Sequence, residues 1–329
     1  MQDNATAASM PFSMKVRSFI RQSPARMAVI IAILLYGLTV LMVPTALNMG
    51  AISSIIMLTL LLSFASAGQT IVLIGGGLDF TVGAVMSTSA IITVNIMNNQ
   101  DGMFLPAFAA VMLMAVTVGL INGFCTVKIG LPALIVTLAI SNVISRLQYV
   151  FTQGNPTGYA GPAFVSTVIS RIFGHIPSLA LYALIIFPLV FYILNKSRYG
   201  RQLYLVGNNA TAAGLTGINV NRVKIMSYVI SAMFAGFTGM LAAGYMQRAQ
   251  CQMFDDYAYN SLIAVIVGGT AFSGGVGTYT GTIAGALLMV VLTNMLTALF
   301  LPQPIRNIIM GVIMVLLLLF YNRKKAVRQ

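Results

Sequence analysis

Acidic residues are almost missing from this sequence: there is no Glu, and the five acids are Asp3, Asp79, Asp101, Asp255 and Asp256. One His and two Cys, Cys125 and Cys251, complete a poor inventory for catalysis. No nucleophile with its base, no carboxylate relay and no Cys/His set at metal-ligand spacing can be assembled from these residues. Charged residues of both signs make up only 7% of the chain, whereas soluble domains carry about 25%, so a soluble enzyme is excluded. A Gly-Lys pair is also absent, which removes a Walker A loop: if ATP drives this protein, another polypeptide must bind it.

What the 329 residues do contain is apolar sequence, 58% of the total with a mean hydropathy of +0.92. A helix needs about 20 apolar residues to cross a bilayer. Such runs fall at residues 27–45, 51–74, 81–97, 104–124, 130–151, 176–194, 225–247, 260–272, 277–300 and 304–321, the third and eighth being short. The expected fold class is therefore all-α, a polytopic integral membrane protein of about ten transmembrane helices. Residues 1–26 form an N-terminal segment, 27–321 the transmembrane domain and 322–329 a basic tail. The first run follows a basic lead without a small-residue cleavage site, and it reads as a retained span.

The net charge of +13 comes from eighteen Lys and Arg residues lying between the apolar runs, so the membrane, and not nucleic acid, explains it. With the N-terminus inside, Lys15, Arg17, Arg21, Arg26, Lys128, Lys196, Arg198, Arg201, Arg222, Lys224, Arg323, Lys324, Lys325 and Arg328 all fall on the cytoplasmic side. Only Arg146, Arg171, Arg248 and Arg306 do not. This distribution places both termini in the cytoplasm and puts the two cysteines on opposite sides of the bilayer. Five runs precede residue 152 and five follow, the parity of an inverted repeat; a ten-span bundle without one is the other reading.

The longest cytoplasmic connection, residues 195–224, is rich in small residues. Asn209 is placed to cap a short helix through Ala210, Ala212 and Ala213, which Gly214 or Gly217 would end. A small Ala-rich helix flanked by cations suits a groove on a cytoplasmic partner; a solvated linker is the bland alternative. Two glycine-rich breaks, Gly75-Gly76-Gly77-Leu78-Asp79-Phe80-Thr81 and Gly268-Gly269-Thr270-Ala271-Phe272-Ser273-Gly274-Gly275, interrupt apolar sequence and permit sharp turns or close helix approach. Asp79, just before Thr81, suits a helix N-terminus; a direct ligand or proton role is the alternative.

In the fifth run Thr137, Ser141, Ser145, Gln148 and Thr152 recur at spacings of three and four and share one helical face, with Asn142, Arg146 and Tyr149 on an adjacent strip. Hydroxyls and amides without acids suit a neutral polyhydroxylated solute, or equally the gluing of packed spans. Gln69, Asn122, Asn294 and Asn307 are further intramembrane amides with the same two readings. His175 reads as ordinary outer surface, and the Met-rich runs as packing or lipid-facing residues.

These segments resemble the permease subunits of bacterial ATP-binding-cassette importers for monosaccharides. Gly76-Gly77-Leu78-Asp79-Phe80-Thr81-Val82-Gly83 is similar to that family's Gly-Gly-Ile-Asp-Leu-Ser-Val-Gly. Pro132-Ala133-Leu134-Ile135-Val136-Thr137-Leu138 after Asn122-Gly123, the cytoplasmic series Gly200-Arg201, Gly207-Asn208-Asn209, Ala212-Ala213 and Gly217-Ile218-Asn219-Val220, and the late Gly268-Gly269-Thr270, Ser273-Gly274-Gly275 and Gly281-Thr282 runs match in the same order. The resemblance implies ATP-driven alternating access, with Thr137, Ser141, Ser145, Arg146, Gln148 and Asn122 in the pathway. Arg201, Gly207, Asn208, Asn209, Ala210, Ala212, Ala213, Gly214 and Gly217 would couple to the ATPase, and Gly76, Gly77, Asp79, Gly268, Gly269, Gly274 and Gly275 would shape the gate. It further implies one or two cytoplasmic ATP-binding chains holding ATP and Mg, a periplasmic solute-binding protein, and a second permease copy or a sibling. This chain itself would bind no cofactor. Two departures bear on the cargo: Ser145-Arg146 stands where many relatives have Arg-Gly, and Tyr257-Ala258-Tyr259-Asn260 where they have Tyr-Glu-Leu-Asp. A nucleoside, a furanone-type signal or an amino acid in the same machine is the nearest rival. An ion-coupled secondary transporter would need more intramembrane carboxylates than Asp79 provides.

Overall fold

The computed structural model describes residues 24–172, 174 and 176–323. His175, most of the basic N-terminal segment and the end of the basic tail lie outside them. Every apolar run contains a helix. In chain order these are α1 (Pro24–Met42), α2 (Met49–Ile74), α3 (Val82–Met97), α4 (Phe104–Val127), α5 (Ala133–Thr152), the short α6 (Pro162–Ile169), α7 (Leu179–Phe191), α8 (Arg198–Asn208), α9 (Ala210–Leu215), α10 (Val220–Met246), α11 (Asp256–Val267), α12 (Tyr279–Ala298) and α13 (Gln303–Arg323). A two-residue hairpin, β1 (Arg171–Ile172) with β2 (Ile176–Pro177), is the only sheet among the described residues. The protein is an all-α polytopic membrane protein, and among the described residues seven helices are long and apolar enough to cross a bilayer.

The two short runs give α3 and α11, with 16 and 12 residues. At 1.5 Å per residue α11 reaches only about 18 Å, well under a hydrocarbon core of about 30 Å. Both are nonetheless buried along most of their length. Each adjoins a glycine-rich break of folded-in, non-helical backbone. Such backbone is tolerated at membrane depth when protein surrounds it. Accordingly Asp79, Thr81 and Thr270 are fully buried.

Helix ends follow local side-chain chemistry. Asn48 caps α2 by accepting from the Ala51 N–H at 2.7 Å, Ser197 caps α8 from Gly200 at 2.9 Å, and Asn219 caps α10 from Arg222 at 3.0 Å. Pro188 lies inside α7, which passes into a π-turn at Tyr192–Lys196.

The centre of the bundle is α10, packed on α2, α3 and α4. Its close approach depends on small residues: a Cβ on Gly68 would lie 2.5 Å from the Ser231 backbone, and one on Gly119 would lie 2.5 Å from the Val229 backbone. Packing partners exchange between the two halves of the chain. Where α10 packs on α4 and α3, α2 packs on α12 and α11; α3 against α4 is matched by α11 against α12, and α3 against α5 by α11 against α13. At the edge, α1 packs against α12.

Candidate functional site

Three polar regions stand out along the bundle. The first is its basic end, where α8 and α9 meet both glycine-rich breaks. The Gly275 N–H donates to the Ile74 carbonyl at 2.8 Å, tying the second break to the end of α2. Gly207 of α8 fits into the same junction: a Cβ there would lie 1.8 Å from the Ile74 oxygen and 2.6 Å from the Gly275 nitrogen. A Cβ on Gly274 would meet the Gly207 oxygen and Gly76 at 3.0 Å, and one on Gly275 would crowd Asn208. Gly76, Gly269, Gly274 and Gly275 all have positive φ, the conformation for which glycine carries no steric penalty. Gly77 abuts the Tyr228 ring, and Gly268 the Gly281 backbone. The Tyr204 hydroxyl donates to the Gly277 carbonyl at 2.8 Å. The structure thus gathers three of the residues assigned to a gate, Gly76, Gly274 and Gly275, and two assigned to coupling, Gly207 and Asn208, into one joint.

Beyond the joint, α9 projects outward. Asn209 accepts from the Ala212 N–H at 3.0 Å, the cap expected from the sequence. Gly217 ends the turn at positive φ, with Ile218 N–H donating to Ala213 at 3.2 Å, while Gly214 lies inside the helix. Ala213 is buried and Ala212 exposed, while Ala210 is half-buried. Arg201 is exposed and donates to the Lys196 carbonyl at 3.0 Å. Two features were not read from the sequence. Residues 198–208 form a helix instead of a loop, and Leu215 presents an 87% exposed side chain at the tip.

The second region is the interior. Asp79 accepts through Oδ1 from the Thr81 N–H and hydroxyl, and Asn122 Nδ2 donates to that hydroxyl at 2.9 Å. Ser231 and Tyr228 of α10 flank the carboxyl. Asp79 therefore turns the chain into α3 and ties α3 to α4. Fully buried Asn122 belongs to this cluster. The stripe on α5 faces inward as well: Thr137, Ser145 and Gln148 are buried and Ser141 is half-buried. Gln148 Nε2 donates to Thr88 Oγ1 at 2.9 Å and to the Ala84 carbonyl at 3.2 Å, and its Oε1 accepts from the Gln252 N–H at 2.8 Å. Thr137 bonds back to Ala133, and Thr152 back to Gln148. Asn142, Arg146 and Tyr149, the adjacent strip, are exposed.

That strip opens on the third region, at the end of the bundle remote from α8. The loop before α11 brings Gln252 to the Tyr149 hydroxyl at 3.0 Å and sets Asp255 near Arg146. The Asp255 carboxyl is pushed above the ordinary range by partial burial and then by neighbouring Asp256, against the pull of Gln252 and Arg146. Asp256 heads α11, where the helix dipole favours an acid. From α13, Gln303 donates to Asp256 Oδ2 and Asn307 to Oδ1, the latter at 3.4 Å. Arg306 donates to Gln303 and to Thr297. Asp256, Gln303, Arg306 and Asn307, with Tyr259, Asn260 and Thr293, line a cavity of about 310 Å³. Sequence reading had flagged the Tyr257–Asn260 stretch as a departure but missed Asp255, Asp256, Gln303 and Arg306. The i, i+4 pairing of Gln303 with Asn307 was the available signal.

Among the described residues no group of three or more His, Cys, Asp or Glu could hold a metal, and Cys125 and Cys251 are free thiols.

The architecture is that of a transporter's membrane component, with helices around a polar mouth and the α8–α9 hairpin at the opposite end. Residues 51–318 match the model of the branched-chain amino acid transport system permease component, and the chain belongs to that permease family. It is 30% identical to the ribose import permease protein of Escherichia coli over 264 residues, 79% of this chain and 82% of that protein. It is 28% identical over 317 residues to the galactose/methyl galactoside import permease protein of Haemophilus influenzae, covering 90% and 94% of the two chains. With the L-arabinose transport system permease protein of Escherichia coli it shares 27% over 267 residues, 80% of each. No solved structure shows a significant match.

Proposed function

We propose that this chain is the membrane-spanning permease subunit of an ATP-driven importer in the bacterial inner membrane, carrying a monosaccharide or similar neutral polyhydroxylated solute. Its resemblance to ribose, galactose and arabinose permeases supports the cargo class. The carrying observation is the mouth built by α11, α12 and α13, whose carboxylate, amide, hydroxyl and guanidinium groups match the donor and acceptor hydroxyls of a sugar.

In this reading the basic end is cytoplasmic and α8–α9 is the coupling element, with exposed Ala212 and Leu215 seated in a groove on an ATP-binding chain that holds ATP and Mg. Motion transmitted through α8 reaches both glycine-rich breaks at once through Gly207. The opposite end receives solute from a periplasmic binding protein. All ten helices α1–α5, α7 and α10–α13 cross the membrane as two inverted sets of five, and the exchanged packing partners of the two halves fit that repeat. A second permease copy, or a sibling chain, faces the exposed side of α5 and completes the pathway. Asn142, Arg146 and Tyr149 line it there, with Ser141 at its margin. Buried Thr137, Ser145 and Gln148 hold the wall in place. Weak contacts at several points favour passage over capture.

A second reading, an amino-acid cargo, has the description of the family in its favour, and the Asp255, Asp256, Arg146 and Arg306 charges would suit a zwitterion. Uptake competition separates the two: excess unlabelled pentose or hexose blocks entry of a labelled sugar under the first, and leucine or another neutral amino acid is the carried species under the second. Purification of the chain from its native membrane and mass spectrometry of its companions tests the machine itself. An ATP-binding chain is expected, and a chain that purifies alone and transports on an ion gradient would overturn the proposal.

A further inference from the structure

Resting on the sugar-permease reading, we infer that the cup between α11 and α13 is a monosaccharide subsite that sorts sugars during passage. Two facing polar pairs form its rim, each at i, i+4 spacing: Asp256 with Asn260 on α11, and Gln303 with Asn307 on α13. One turn deeper on both helices the pattern becomes apolar, and buried Ile263 and Met310 close the bottom. The result is a polar cup with a hydrophobic floor, and its volume of about 310 Å³ is at the lower end of the range for small-ligand pockets.

The chemistry of the rim selects for vicinal hydroxyls. A carboxylate only accepts hydrogen bonds, while the amides both donate and accept, so Asp256 beside Asn307 presents a fork that a pair of neighbouring hydroxyls can fill. In the present state the Asp256 oxygens take their bonds from Gln303 and Asn307 across the cup. A sugar entering it exchanges these contacts for its own hydroxyls, which releases α13 from α11 at its outer end. Arg306 adds a buried Nε–H with no hydrogen-bond partner, one more donor for a ring or hydroxyl oxygen and a positive charge against cationic solutes. Asn260 is one of the positions at which the sequence departs from the sugar-permease pattern, so the departure falls on the rim itself.

The test uses the complete transporter in its native host membrane, with uptake of labelled D-ribose, D-galactose and L-arabinose measured for the wild type and for Asp256→Asn, Asn307→Leu and Asn260→Asp. Membrane abundance and ATP hydrolysis stimulated by the binding protein are read in parallel. The expected result is a loss of about tenfold in uptake of the preferred sugar for Asp256→Asn and Asn307→Leu, the scale of one unpaired polar contact. Asn260→Asp is expected to change the ranking of the three sugars, and all three variants to retain abundance and ATP hydrolysis. Unaltered uptake and ranking, or losses that follow abundance or ATP hydrolysis, would overturn the subsite while leaving the sugar reading intact. A wild type that moves none of the three sugars overturns the sugar reading, and the subsite with it.

Discussion

The backbone N–H of Gly275 and the carbonyl of Ile74 are joined by a 2.8 Å hydrogen bond across 201 positions of sequence, and Gly207 of α8 is wedged against both. Under the proposed function this one contact point, between the end of α2 and the second glycine-rich break, is where displacement of α8 would enter the bundle.

Gly207→Ala tests this joint. Its Cβ would overlap the Ile74 oxygen at 1.8 Å, and because the obstacle is backbone, the helices must separate. The expected cost is about 1–3 kcal/mol of stability together with weakened coupling of ATP hydrolysis to transport. Gly214→Ala is the control, since its nearest neighbour, a Val220 methyl at 3.9 Å, leaves room. Thermal unfolding of both purified proteins in detergent checks the pair; equal melting temperatures would remove the joint from the account.

At the tip of the hairpin, Leu215→Asp and Ala212→Glu should leave the stability within about 0.5 kcal/mol of wild type, because both side chains are exposed. Both should abolish recovery of the ATP-binding chain on affinity purification. Recovery at wild-type yield would place the docking surface elsewhere.

The two faces of α5 are predicted to separate cleanly. Gln148→Leu leaves the half-buried Gln252 N–H without its acceptor and removes the donor to Thr88 Oγ1, whose own O–H keeps its bond to Ala84, and should destabilise the protein by about 1–3 kcal/mol. Asn142→Leu and Arg146→Leu, on the exposed strip, should lower solute flux at unchanged stability. Flux and unfolding measured on the three variants decide this, and the opposite pattern would return the inward stripe to the pathway.

Much of this fold was legible in the sequence because apolar run length is a strong, local signal. The Asn209 cap, the Gly217 turn and the shortness of α3 and α11 followed from single residues or counts. The facing of α5 did not. Periodicity groups Thr137, Ser141, Ser145 and Gln148 on one side of the helix, yet hydroxyls and amides serve equally for packing and for lining water, and only the position of α3 decides which. The cup at Asp256 was hidden for a related reason: its two walls are about 50 positions apart in sequence, and nothing local pairs them.

Asp79→Asn separates the importer from an ion-coupled carrier. Asn keeps an oxygen for the Thr81 N–H and hydroxyl, so stability should fall by no more than about 1 kcal/mol and transport should persist. Complete loss of transport with a folded protein would give this carboxyl a role in ion coupling.

The central claim is tested most directly in proteoliposomes holding this chain with its co-purified partners, with the binding protein and labelled D-ribose, D-galactose or L-arabinose on one side and ATP on the other. The account predicts accumulation of at least one of these sugars that requires ATP and survives collapse of proton and sodium gradients. Accumulation that ignores ATP and vanishes with those gradients would contradict it.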